Sequence, residues 1–71
     1  MKSIIHNDKK YYNVPEFQRL IGKKPGYIAT AAPKRRYAIN YDNNLYIDEN
    51  WLKYYCIKND KNYDDLIQKE V

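Results

Sequence analysis

Between Asn13 and Gly22 the apolar positions fall at Val14, Phe17, Leu20 and Ile21, the three-and-four spacing of a short helix with one buried face. Asn13 is placed to cap its first amides, and Glu16, three residues on, to reach back to the cap. Gly22 supplies the left-handed residue that ends a helix. Pro25 then opens a second apolar segment, Gly26-Tyr27-Ile28-Ala29-Thr30-Ala31-Ala32, and Pro33 closes it because its ring cannot comfortably continue the turn. The unit reads helix, tight turn, helix.

The flanks change period. Ser3-Ile4-Ile5-His6 and Tyr11-Tyr12-Asn13-Val14 lean towards strand and are separated by the polar turn formers Asn7-Asp8-Lys9-Lys10, so a hairpin is expected. A single strand over residues 10–13 behind a loose N-terminus is the alternative. Tyr37-Ala38-Ile39-Asn40-Tyr41 and Leu45-Tyr46-Ile47 read as a second hairpin turning at Asp42-Asn43-Asn44, where Asp and Asn tolerate left-handed angles. Asp48 caps a helix whose apolar stripe is Trp51, Leu52, Tyr55 and Cys56. Asn59 or Asn62 breaks the chain before residues 60–71, a short last helix or a tail whose acids precede its base as a helix dipole prefers. The expected core is Ile5, Tyr12, Val14, Phe17, Leu20, Ile21, Ile28, Ala31, Ile39, Leu45, Ile47, Trp51, Leu52 and Tyr55. Neither an internal repeat nor a linker is visible, so residues 1–71 read as one domain of class α+β.

At 71 residues such a domain buries only about 60% of the surface its unfolded chain exposes. The single Cys56 cannot form an internal disulfide. With His6 it is too small a set to hold a metal, and neither a metal nor a cofactor is expected. Cysteine poverty, the lack of a charged-then-apolar leader and the lack of an apolar run near 18 residues point to a soluble, cytoplasmic protein with no membrane partner. The net charge of +4 is unevenly spread. Residues 1–36 carry nine Lys and Arg against two acids, a balance of +7, and residues 37–71 carry four against seven, a balance of −3. The positive pole coincides with the two-helix unit, the footprint expected of a phosphate-binding face.

The order strand or hairpin, helix, turn, helix, hairpin, helix resembles the winged helix-turn-helix of excisionases and MerR-type regulators over roughly residues 11–55. The residues that carry it are Tyr12-Asn13-Val14-Pro15-Glu16-Phe17, Leu20-Ile21-Gly22, Ile28, the wing-like run from Tyr37 to Ile47, and Asp48-Glu49-Asn50-Trp51-Leu52. The resemblance implies a second helix in the major groove and a hairpin against the backbone or minor groove. Lys23, Lys24, Tyr27 and Thr30 would then face DNA, with Lys34, Arg35, Arg36 and Tyr37 at the entry to the wing and Asn43 and Asn44 at its tip. The chain departs from the pattern in one respect. Base edges are read by forked donors such as Arg, Asn or Gln, and Gly26 to Ala32 offers one phenol, one hydroxyl and methyl groups. Direct base readout should be weak, and affinity should come mainly from phosphates.

Three functions follow. The first is a double-stranded DNA-binding protein, excisionase-like or a transcription regulator of a mobile genetic element. The second is a single-stranded nucleic-acid binder that stacks bases on tyrosines, of which the chain has nine, with Tyr27, Tyr37, Tyr41 and Tyr46 beside or within the basic segment. The third is an adaptor or inhibitor that offers the small residues Ala29 to Ala32 to a protein partner. A homodimer through residues 54–71 is a further alternative to intramolecular docking of that segment. No enzyme is expected, because the chain lacks a nucleophile paired with a base and a glycine-rich phosphate loop.

Overall fold

The structure, a computed structural model, describes residues 1–24, 26–28 and 37–68. Strands β1 (Ser3–His6) and β2 (Lys9–Asn13) lead into helix α1 (Val14–Leu20); strands β3 (Ala38–Tyr41) and β4 (Asn44–Asp48) lead into helix α2 (Glu49–Lys58), followed by helix α3 (Tyr63–Gln68). The chain is therefore α+β, with one antiparallel sheet in the order β1-β2-β4-β3. Of the two readings of the N-terminus, the hairpin is present. Of the expected second helix only Gly26, Tyr27 and Ile28 are described, the last two in helical conformation. Residues 29–36 lie outside the described residues.

Both hairpins turn on two residues at positive φ, Asn7 (51°) and Asp8 (63°), then Asp42 (51°) and Asn43 (63°). That pair of angles is the primed turn whose twist matches the strands it joins. The turns are tighter than the sequence suggested, because Lys9, Lys10 and Asn44 already pair in strands. Every pair of the first ladder recurs 35 positions later. Ser3 opposite Tyr12 becomes Ala38 opposite Ile47, and His6 opposite Lys9 becomes Tyr41 opposite Asn44. The join between the halves obeys the same shift, since Tyr11 faces Asp48, Asn13 faces Tyr46, and Tyr12 faces Ile47 at the centre. The chain is thus an internal repeat of strand, strand, helix about a pseudo-two-fold axis through Tyr12 and Ile47. The sequence concealed it because, between residues 3–21 and 38–56, only Ile4 with Ile39 and Tyr11 with Tyr46 are identical.

Local chemistry explains each helix. Asn13 Oδ1 accepts from Glu16 N at 2.9 Å and Asp48 Oδ1 from Asn50 N at 2.8 Å, each satisfying an amide that a helix start leaves unpaired. The reciprocal contact expected of Glu16 is absent. The Asn13 N–H is taken by Lys2 O at 3.0 Å, and Glu16 Oε1 accepts from Lys2 N at 3.1 Å instead. α1 ends at Gly22 (φ +72°), with Lys23 N donating to Gln18 O at 2.9 Å. α2 ends the same way at Asp60 (φ +56°), with Lys61 N donating to Cys56 O at 2.8 Å. Both are the six-to-one closure of a left-handed helix end.

The helices cover the sheet face that carries Tyr12 and Ile47. Phe17, Ile28, Ile47, Leu52 and Cys56 are sealed there, with Val14, Tyr55 and Leu66 beside them, each large apolar side chain contributing about 1.5–3 kcal/mol by leaving water. Leu20, Ile21, Leu45 and Trp51 pack against this core half-buried. Two expected core residues are elsewhere. Ile5 is 69% exposed, because it sits opposite Lys10 near the end of an edge strand. Ile39 lies opposite Tyr46, on the face away from the helices, since neighbouring strand residues point to opposite faces. Ala31 lies outside the described residues. That second face is also filled: Tyr11 and Tyr46 are buried, the ring of His6 meets Tyr11 edge-on at 6.2 Å, and its repeat-mate Tyr41 meets Tyr46 at 5.9 Å. The sheet is curled, for its two edge strands line one hollow containing Ile4 and Ile39.

Candidate nucleic-acid interface

The sheet and the closure at Gly22 present α1 and its exit to solvent. Arg19, Lys23 and Lys24 are exposed, and none of the three is in an ion pair among the described residues. Arg19 borders two adjoining hollows. The first, open and about 650 Å³, is lined by Met1, Lys2, Asn13, Pro15, Glu16, Arg19 and Asn44. The second, about 470 Å³, is lined by Val14, Pro15, Gln18, Arg19, Lys23, Gly26 and Leu45. Lys2, Arg19 and Lys23 therefore flank one side of α1, with Glu16 as the acid among them.

Lys23 is braced. Its Nζ lies 5.2 Å from the centre of the Tyr27 ring, an attraction between a cation and the negative face of an aromatic ring. The Tyr55 hydroxyl donates to the Tyr27 hydroxyl at 3.2 Å. The Tyr55 ring in turn stacks on Trp51 at 5.5 Å and meets Phe17 edge-on at 5.6 Å. Burial first, and the Tyr27 hydroxyl second, push the Tyr55 phenol well above its ordinary pKa, so it remains a neutral donor. A chain of rings thus connects an exposed cation to the core. Tyr27 N also donates to Lys24 O at 3.2 Å, which fixes the backbone of the Lys23-Lys24 turn.

The expected site residues divide into groups. Lys23, Lys24 and Tyr27 come together as described. Thr30, Lys34, Arg35 and Arg36 lie outside the described residues. Tyr37 is half-buried against the core. Asn43 is at the tip of the β3-β4 turn, but its companion there is Asp42, and Asn44 is the first residue of β4 and borders the first hollow. Asn44 Nδ2 donates to Asp42 O at 3.4 Å. The hairpin is also less free than a projecting wing, because β4 is a central strand paired on both sides. Among the tyrosines proposed to stack bases, Tyr46 is buried and out of reach, while Tyr41 is 56% exposed. Arg19 and Gln18 were not singled out by the sequence reading. The signal for Arg19 was there, four residues after Pro15 on one helical face and in the last turn before the Lys23-Lys24 exit.

The remaining chemistry is structural. Tyr63 lies 3.2 Å from the Tyr12 hydroxyl and 3.3 Å from Glu49 Oε2. Its one proton goes to the carboxylate, which can only accept, so Tyr12 donates to Tyr63. Burial pushes the Cys56 thiol pKa up, with Lys61 pulling the other way, which keeps it an inert packing group. Among the described residues no group of three or more His, Cys, Asp or Glu could hold a metal ion, and no helix is long and apolar enough to cross a membrane. Comparison with family models, curated proteins and solved structures found no match for the chain.

Proposed function

We propose that the protein binds double-stranded DNA chiefly through phosphates, as an excisionase-like or regulatory factor of winged helix-turn-helix type working in the cytoplasm. The observation that supports it best is that Arg19, Lys23 and Lys24 are exposed and unneutralised among the described residues, with Lys23 braced on Tyr27. A polyanion meeting such a face releases the counterions that screened it, and the gain is sequence-independent. Lys2 extends the same face, and Lys34, Arg35 and Arg36 add three cations on the same half of the sequence. The test is a fluorescence anisotropy titration of duplex DNA at increasing salt. Five phosphate contacts, one each from Lys23, Lys24, Lys34, Arg35 and Arg36, give a slope of log affinity against log salt near about −4.5, at about −0.9 per contact. A flat response rejects the reading.

A single-stranded target is the second reading, favoured by the half-buried Tyr27 ring beneath Lys23. Matched duplex and single-stranded probes in the same titration separate the two.

A further inference from the structure

The second hollow beside α1 is built unlike the open face around it. Its walls are apolar, from Val14, Pro15 and Leu45, and Arg19 and Lys23 stand at its margin. Gln18 also lines it. That side chain is 94% buried, at 6% exposure, in a helix whose other buried residues are Val14 and Phe17. Its Oε1 accepts from the buried Ile28 N at 3.0 Å. Because a backbone N–H needs an acceptor, the amide orientation is fixed and Nε2 is turned the other way. Nε2 has no partner among the described residues. No buried side-chain nitrogen or oxygen is left unpaired among the described residues, so Nε2 keeps contact with solvent, and Gln18 is one of the residues that line the hollow.

A ligand that satisfies this site has three parts. It needs a flat apolar body for the walls, a hydrogen-bond acceptor for one amide donor, and a negative group for Arg19 and Lys23. A volume of about 470 Å³ is within the range of small-ligand pockets. We infer that the hollow between α1 and Leu45 receives a single unpaired nucleotide, its base carbonyl accepting from Gln18 Nε2 and its phosphate held by Arg19 and Lys23. The inference rests on the nucleic-acid reading above and sharpens it. The protein would prefer a duplex carrying an extrahelical base, at a site distinct from the Tyr-stacking surface the sequence suggests. It also supplies one amide donor for a base, where Gly26 to Ala32 offers no amide side chain.

The test uses the full chain and two fluorescent duplexes, one with a single bulged thymidine and one with an abasic residue at the same bulge. The thymidine bulge should bind about tenfold more tightly, the scale of one net hydrogen bond gained. Gln18→Glu keeps an acceptor for Ile28 N–H and removes the donor, so it should erase the preference while duplex affinity falls less than the bulge affinity. Arg19→Gln, at an exposed position, should weaken the bulged probe more than the perfect duplex, and it serves if Gln18→Glu does not fold. Equal binding of the two bulges overturns this inference and leaves duplex binding standing. Failure to bind any duplex at low salt rejects the broader reading, and the hollow is then decided by titrating thymidine monophosphate against amide and methyl NMR signals. Shifts at Val14, Gln18 and Leu45 support the site; silence there, or shifts only with a peptide carboxylate, overturns it.

Discussion

The two strand-strand-helix halves share a backbone and almost nothing else. Their ladders repeat residue for residue, their turns repeat angle for angle, and each helix begins on an amide or carboxylate from the last strand residue. Yet the first half is strongly basic and the second acidic. At the position of Gln18, which lines the second hollow, the second half has Lys53, whose Nζ lies 5.4 Å from the Tyr63 ring. The exits differ as well. α1 stops at a glycine, whereas α2 runs three residues longer and stops at an aspartate. In both cases an apolar plug follows six residues after the left-handed residue, Ile28 after Gly22 and Leu66 after Asp60. Turn and cap chemistry recurs in both copies of the frame, which the β2-β4 pairing joins, and the solvent-facing positions of each copy are left open to carry a different surface.

The two halves depend most on each other at the axis. Ile47 is 0% exposed and central to the join, so Ile47→Ala should cost about 2–5 kcal/mol, enough to leave a domain of this size largely unfolded in a urea or thermal melt followed by circular dichroism. If only one half depends on the pair, half of the helical signal should survive that substitution.

The functional asymmetry is tested by matched charge reversals. Lys23→Glu with Lys24→Glu should lower duplex affinity at least about tenfold and make the salt slope shallower by about 2. Lys58→Glu with Lys61→Glu, on the second half, should change affinity less than threefold. Equal losses would mean that the charge difference between the halves does not locate the interface.

The halves are also tied by phenols, Tyr55 to Tyr27 and Tyr63 to Tyr12. Burial raises the pKa of both Tyr55 and Tyr63 in the folded state, helped by the Tyr27 hydroxyl at Tyr55 and by the Glu49 carboxylate at Tyr63. The unfolded chain therefore releases these protons first, so stability is full below about pH 10 and declines above it. Ultraviolet titration of tyrosinate should show a slow, late fraction that appears only with unfolding. Immediate titration of all nine tyrosines would remove these ties.

The smallest effect belongs to the helix exits. Asp60 holds a left-handed angle that glycine adopts freely, and it places a negative charge at the negative end of α2. Asp60→Asn should stabilise the fold by a few tenths of a kcal/mol up to about 1 kcal/mol, read as a rise in melting temperature.

Much of the frame was legible residue by residue. Asn13 and Asp48 cap the helices they were expected to cap, Gly22 ends α1, Asn59 follows the last residue of α2, and the α+β class stands. Those features depend on neighbours within a few positions. Asn44 entering β4, Ile39 turning from the core and the exposure of Ile5 were missed because strand register decides them, and register depends on a partner far along the chain. The candidate site was legible as charge, through Lys23 and Lys24, and not as shape. Gln18 gave no signal, since its burial follows from Ile28, ten residues away, needing an acceptor.

By itself the sequence determined where the chain turns, which residues open and close its helices, and that its cations gather in one half, because local sterics, capping bonds and composition do not depend on what lies across the molecule. Tertiary structure alone decided that the halves are copies about Tyr12 and Ile47, that tyrosines fill both faces of the sheet, and that a buried glutamine faces a hollow between two cations. Those outcomes come from long-range pairing and shared burial, where one residue's environment is made by others that no local pattern names.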